Sequence, residues 1–274
     1  MTTRKLGVAL GGGGLRGLAH IGVLMALQAA NLEVAAIAGT SMGGLVGAAS
    51  AAGVSPAQLQ EEIGSLNSLT GILRLLDWWP GKRALSSGRS VMRYFSNLLG
   101  DMRTFDDLPT PLAVSACDIE TGEEVVLRHG PLMDALNATM ALPGIFDPVR
   151  YHGRLLVDGG LVNNVPADVV RTLGADVVLA VDVSFAGLVG SPDDPALAQS
   201  WRMINDVWRS QTILMRAVTD FRLRDAAPDV IIRPSLPEGV STLRGIQELE
   251  AIIASGERAG AAAVPRLRAA LAAE

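Results

Sequence analysis

Cysteine is almost absent from this chain. Cys117 stands alone among 274 residues, so no internal disulfide can form. It sits in the apolar run Leu112-Ala113-Val114-Ser115-Ala116-Cys117, where a small core side chain fits. Histidine is scarce as well, with three in all, and no Cys/His grouping has metal-ligand spacing. A surplus of positive charge is missing: the net charge of −5 leaves no basic footprint for nucleic acid. No uninterrupted apolar run reaches the roughly 18 residues of a membrane span. The apolar stretch after Met1-Thr2-Thr3-Arg4-Lys5 is too short for a secretory leader, and the cytoplasm is the simplest location. What the chain does have is core: 49% hydrophobic and 19% charged residues describe a globular protein and exclude a disordered one. The length suits one large α/β domain over 1–274.

Periodicity places the elements. Residues 6–10 read as a buried strand, Gly11-Gly12-Gly13-Gly14 as a tight loop, and 15–30 as a helix with Leu18, Ile21, Leu24, Met25 and Leu27 at helical spacing. A strand at 34–38, a turn and a small-residue helix at 42–52 complete a β-loop-α-β-turn-α opening, the pattern of a parallel sheet covered by helices. Further helices are expected at 56–66, 132–140, 165–173, 199–223 and 245–272. Strands are expected at 112–118, 123–127, 155–157, 176–183 and 230–233. The stretch 67–107 is irregular. Its apolar cluster at 72–79, ending in Trp78-Trp79, reads as helix-end packing or as an interfacial lid.

Chemistry first shows in Gly39-Thr40-Ser41-Met42-Gly43, a G-x-S-x-G after the run Val34-Ala35-Ala36-Ile37-Ala38. Between a strand and a helix, such a serine sits on a sharp turn with its hydroxyl presented at the sheet end. Side chains at Gly39 or Gly43 would collide where the strand and helix pass. The plainer reading is a glycine-rich turn with an incidental serine.

Gly12-x-Gly14-x-x-Gly17 follows a strand and opens a helix, as a dinucleotide fingerprint does. That reading requires an acidic residue at the end of the second strand. Here the strand ends in Gly-Thr-Ser, with Glu33 at its start, and no Walker lysine is present. The other use of such a loop is an anion cradle, in which backbone N–H groups and a helix N-terminus stabilise a tetrahedral oxyanion. Arg16 adds a positive charge there, as a functional group or as a prop for the loop.

A base is needed for the serine. A histidine triad in the chain order serine, acid, histidine could draw on Asp118 and His129, but neither His129 nor His152 lies in a late loop, and His20 precedes Ser41. His20 reads as packed, with a ring nitrogen bonded to backbone. Asp158, at the end of a short strand before Gly159 and Gly160, is the better base, projecting from the same sheet end as the serine turn. In isolation Asp-Gly-Gly also reads as a turn that caps its own backbone.

Three motifs in order, Gly12-Gly13-Gly14-Leu15-Arg16-Gly17, Gly39-Thr40-Ser41-Met42-Gly43 and Asp158-Gly159-Gly160, resemble the signature of patatin-like phospholipases, bacterial members included. The flanks Ala19-His20-Ile21-Gly22-Val23-Leu24, Ala141-Leu142-Pro143-Gly144-Ile145-Phe146 and the continuation to Pro166 match too, so the resemblance runs from about 5 to 184, with 185–274 as an extension. It implies a three-layer α/β/α fold with a mainly parallel central sheet. It also implies a Ser41–Asp158 dyad, with an oxyanion hole from the N–H groups of Gly12, Gly13 and Gly14 helped by Met42. The implied chemistry is hydrolysis of acyl esters of lipids, phospholipids or lysophospholipids among them, without a cofactor. Acyl-lipid substrate and transient contact with the inner membrane surface are the expected partners. The rivals are an acyltransferase, since the acyl-enzyme can pass to an alcohol, and a silent scaffold. Pocket shape is expected to come largely from 67–107.

Overall fold

A computed structural model describes residues 4–65, 88–184, 199–240 and 246–273. In chain order the elements are β1 (Leu6–Leu10), α1 (Ala19–Ala29), β2 (Val34–Thr40), α2 (Met42–Ala51), α3 (Pro56–Ser65), α4 (Arg89–Leu99), β3 (Leu112–Asp118), β4 (Glu124–Leu127), α5 (Leu132–Met140), β5 (Val149–Tyr151), β6 (Arg154–Asp158), α6 (Ala167–Thr172), β7 (Val177–Val181), α7 (Gln199–Ala226), β8 (Val230–Ile232) and α8 (Leu249–Ala272). The cluster at 72–79 lies outside the described residues.

One eight-stranded sheet runs β5-β6-β3-β2-β1-β7-β8, with β4 added against β3. It is mixed. The pairs β1–β2, β1–β7, β2–β3 and β7–β8 are parallel, while β3–β4, β3–β6 and β5–β6 are antiparallel. Helices cover both faces. Leu6, Val8 and Leu10 of β1 point to the side packed by α1, α2, α5 and α8. Ala9, Ala36, Ala38, Ala113 and Ala180 make the other side shallow, and α6 and the end of α7 settle there.

The register around β3 positions the site. β2 pairs with Leu112–Ser115, β4 with Val114–Cys117, and β6 with Ala116–Asp118. A strand has two edges, and β4 overlaps both other partners, so β2 and β6 share the opposite edge of β3. They run toward each other along it. Thr40 pairs with Ser115, and Asp158 pairs with the next residue, Ala116. The turn after Thr40 and the end of β6 therefore meet head-on.

Most expected elements stand within a residue or two of their places. Two were not foreseen: the short strand β5, and α4, which lies in the stretch 67–107 that the sequence marks as irregular. The helix expected at 15–30 begins instead as a 3-10 turn at Gly14–Leu18, which bends the glycine loop before α1 starts. The closing helix, α8, packs along α1 at very short range. A Cβ on Gly22 would overlap the Ile253 carbonyl, and one on Gly256 the Ala19 carbonyl.

Candidate active site

Ser41 is the residue between β2 and α2, at φ 54° and ψ −125°, a conformation that costs a non-glycine residue energy. The flanking glycines are needed for space: a Cβ on Gly39 would overlap the backbone of Gly43 and Gly44, and one on Gly43 the carbonyls of Leu10 and Gly11. The strained turn is held from behind. The Ser41 N–H donates to Thr139 Oγ1 at 2.9 Å, and Thr139 Oγ1 donates to the Ser115 carbonyl at 2.6 Å. Thr40 Oγ1 donates to the Asn163 carbonyl at 2.9 Å. Ser41 itself is buried.

Asp158 lies on one cleft with Ser41, brought there by the head-on strand geometry, and Ser41 acts on its carboxyl as a side-chain hydrogen-bonding neighbour that lowers its pKa. Asp158 also accepts from the Gly160 N–H at 2.8 Å through Oδ1. The self-capping turn and the serine contact thus coexist on one carboxylate. Asp158 is 3% exposed. Burial raises its pKa to about 6, against the two hydrogen bonds, which lower it. It is therefore a far better proton acceptor than an aspartate in water.

Ser41 and Asp158 lie on a cleft with Gly12, Gly13, Gly14, Arg16 and Asn164. The glycine loop is stitched to the segment after Asp158: Gly12 N–H donates to the Asn164 carbonyl at 3.1 Å, and Asn164 Nδ2 donates to the Gly12 carbonyl at 3.3 Å. That bond removes Gly12 from the expected oxyanion donors, because its N–H is already committed. Among the described residues, no group accepts from the N–H of Gly13, Gly14 or Met42. Gly17 makes room for Met42, whose side chain a Cβ there would strike, and Gly159 passes against the Ser115 backbone. Arg16 is buried and acts on the loop: Nε donates to the Gly13 carbonyl at 3.2 Å and Nη1 to the Ser184 carbonyl at 3.4 Å. Burial lowers its pKa, and nearby Asp182 opposes that shift.

None of the three histidines lines the cleft. His129 and His152 are exposed. His20 is buried, with Nε2 at 2.7 Å from the Gly11 carbonyl, so Nε2 carries the proton and donates. Burial pushes its pKa down to about 4, against that bond and Asp182, so the ring is neutral and structural. Among the described residues no group of three His, Cys, Asp or Glu side chains could hold a metal ion.

The roof of the cleft was not foreseen. Trp208, Gln211, Thr212, Met215 and Arg216 of α7 line it, together with Leu142. Their spacing follows one face of the helix, a signal present in the sequence but not attributable to a site before the helix was placed. Among the described residues, 88–107 do not line this cleft, and most of the stretch expected to shape the pocket, 67–87, lies outside the described residues.

Fold and site together define a three-layer α/β protein with a buried serine–aspartate pair beside a glycine loop. A family model described as patatin-like phospholipase matches residues 8–171, and the chain belongs to that family, whose members are lipid hydrolases. An uncharacterised NTE-family protein of Mycobacterium bovis is 34% identical over 213 residues, 77% of this chain and 57% of its own length. The neuropathy target esterase of Drosophila melanogaster is 32% identical over 254 residues, 91% of this chain and 17% of its own. The chain thus spans little more than half of the first of these relatives and under a fifth of the second. The crystal structure of VipD from Legionella pneumophila shares the fold, with a TM-score of 0.55 at 13% identity over 98% of this chain and 67% of that one.

Proposed function

We propose that the protein is a serine esterase that cleaves acyl esters of lipids through a Ser41–Asp158 dyad. One observation carries this reading: a buried aspartate, its pKa raised to about 6, shares a cleft with a serine on a strained strand-to-helix turn, and that serine acts on its carboxyl. Asp158 takes the Ser41 proton as Oγ attacks the acyl carbonyl, and an oxyanion forms. The N–H groups of Gly13 and Gly14, with Met42 N–H at the first turn of α2, stabilise that charge. Hydrogen-bond donors of this kind are worth roughly 3–4 kcal/mol each in the transition state. Asp158 returns its proton to the leaving alcohol or lysolipid. It then takes a proton from the water that attacks the acyl-enzyme, and the fatty acid leaves as Ser41 Oγ recovers the proton. Leu142, Trp208 and Met215 offer the cleft an apolar wall suited to an acyl chain.

The test is direct. Ser41→Ala should lower turnover of p-nitrophenyl butyrate by at least about a thousandfold, and a fluorophosphonate probe should label the wild type but not the variant. Full activity in a folded Ser41→Ala variant, or no labelling of folded wild type, overturns the assignment.

A further inference from the structure

We propose that α7 docks the protein on a lipid–water interface through the face turned away from the cleft. The proposal rests on the lipid-hydrolase reading for its substrate, but not for its observation. Val207, Ile213, Leu214 and Phe221 are 61%, 54%, 67% and 63% exposed, and all four stand on this one helix. Val207, Leu214 and Phe221 recur every seven residues, and a straight helix drifts only ~20° per heptad, so they form one stripe. Ser210 and Ala217 lie between them, and Ile213 widens the stripe on one shoulder. The charged residues between 207 and 221 lie off it: Arg209, Arg216 and Asp220, the last held by Arg233 at 2.9 Å.

The position and the size of the stripe favour a lipid surface over a protein partner. Its position is continuous with the cleft. The opposite face of the same helix supplies Trp208, Thr212 and Met215 to the roof over Ser41, so a surface that receives the stripe lies one helix diameter from the place where an acyl chain must arrive. Arg216, on the shoulder between the two faces, also lines the cleft. Size points the same way. The stripe from 207 to 221 is about 21 Å long and offers roughly 200 Å² at ~10 Å width, well short of the ~800 Å² per partner of a stable protein interface. A bilayer needs no matching surface, and a few apolar side chains on one helix face suffice for weak, reversible binding.

The experiment is co-sedimentation with vesicles of phosphatidylcholine containing phosphatidylglycerol, in a Ser41→Ala background so that the lipid stays intact. Leu214→Ser/Phe221→Ser should cut vesicle partitioning at least tenfold. In the active background the same pair should leave turnover of soluble p-nitrophenyl butyrate within twofold. Val207→Ser/Ile213→Ser provides a second, independent pair with the same expected loss. Equal partitioning of both variants and the parent overturns the proposal. So does a wild-type dimer that the Ser variants dissolve while vesicle binding is unchanged, because the stripe then belongs to a second copy of the chain. A wild type that binds vesicles through the stripe yet turns over no ester sinks the hydrolase reading and leaves the docking surface standing. Normal ester turnover without stripe-dependent binding does the reverse.

Discussion

Asp158 carries a charge that its surroundings oppose, and that opposition is measurable. Its folded pKa, about 6, stands above the 3.8 of an aspartate in the unfolded chain, so the folded state holds its proton more tightly. Stability from this group is complete below about pH 4 and is lost as pH rises through 6, a swing of up to ~3 kcal/mol. His20 acts in the opposite sense. Its pKa falls from 6.5 to about 4, so its stabilising neutral form is secure above pH 6.5 and is lost as pH falls through 4. The two effects offset each other across the same window in the wild type. Asp158→Asn removes one of them. Urea unfolding at pH 4 and pH 8 should show the variant gaining on the wild type as pH rises, by as much as ~3 kcal/mol. A pH-independent difference would show that the carboxyl is not strained. Activity follows the same group: kcat/KM for a soluble ester should rise with an apparent pKa near 6 and stay flat to higher pH, with no histidine limb.

Among the elements, the contact of α1 with α8 depends most on particular residues. Ala19, Gly22, Val23 and Ala26 of α1 meet Ile253, Gly256 and Gly260 of α8, and the two helices touch backbone to backbone at Gly22 and Gly256. Gly256→Leu should force them apart and cost roughly 2–4 kcal/mol, read as a lower thermal midpoint, while Ser41 labelling of the remaining folded protein persists. An unchanged midpoint would mean that the helices separate freely. The elements themselves were largely legible, because alternation and helical spacing mark local structure, and the strands 6–10 and 112–118 stand where they were read. The serine turn and Asp158 were legible through their motifs. Three features were not. The antiparallel pairing of β6 depends on which edge of β3 receives it, and that is a matter of pairing, not pattern. The committed N–H of Gly12 follows from Asn164, 152 residues away. The roof of the cleft comes from a helix whose two faces look alike in a sequence until one of them is buried.

Across the whole molecule, α7 is tied to the sheet by a polar network that also reaches the dyad's supports. Arg222 is ion-paired with Glu124 of β4, and its Nε donates to the Val162 carbonyl at 3.1 Å, just beyond the Asp158 turn. Glu124 also accepts from Ser115 Oγ at 3.0 Å and from Asn163 Nδ2 at 2.9 Å. Asn163 in turn presents its carbonyl to Thr40, the residue before Ser41. One carboxylate therefore gathers the roof helix, the strand behind the serine turn and the loop after Asp158. Arg222→Met keeps most of the side-chain volume and removes the charge. It leaves Glu124, which is 15% exposed, without its cation, at a cost of roughly 1–3 kcal/mol. Because the lost tie holds the roof and not the serine, fluorophosphonate labelling of Ser41 should persist while KM for a long-chain ester rises severalfold and kcat for p-nitrophenyl butyrate changes little. Arg222→Lys, which keeps the charge but not the fork that reaches both Glu124 and Val162, should fall between the two. Loss of labelling in Arg222→Met at an unchanged melting temperature would place the network in the dyad's own geometry, and unchanged KM for the long-chain ester would remove α7 from substrate binding altogether.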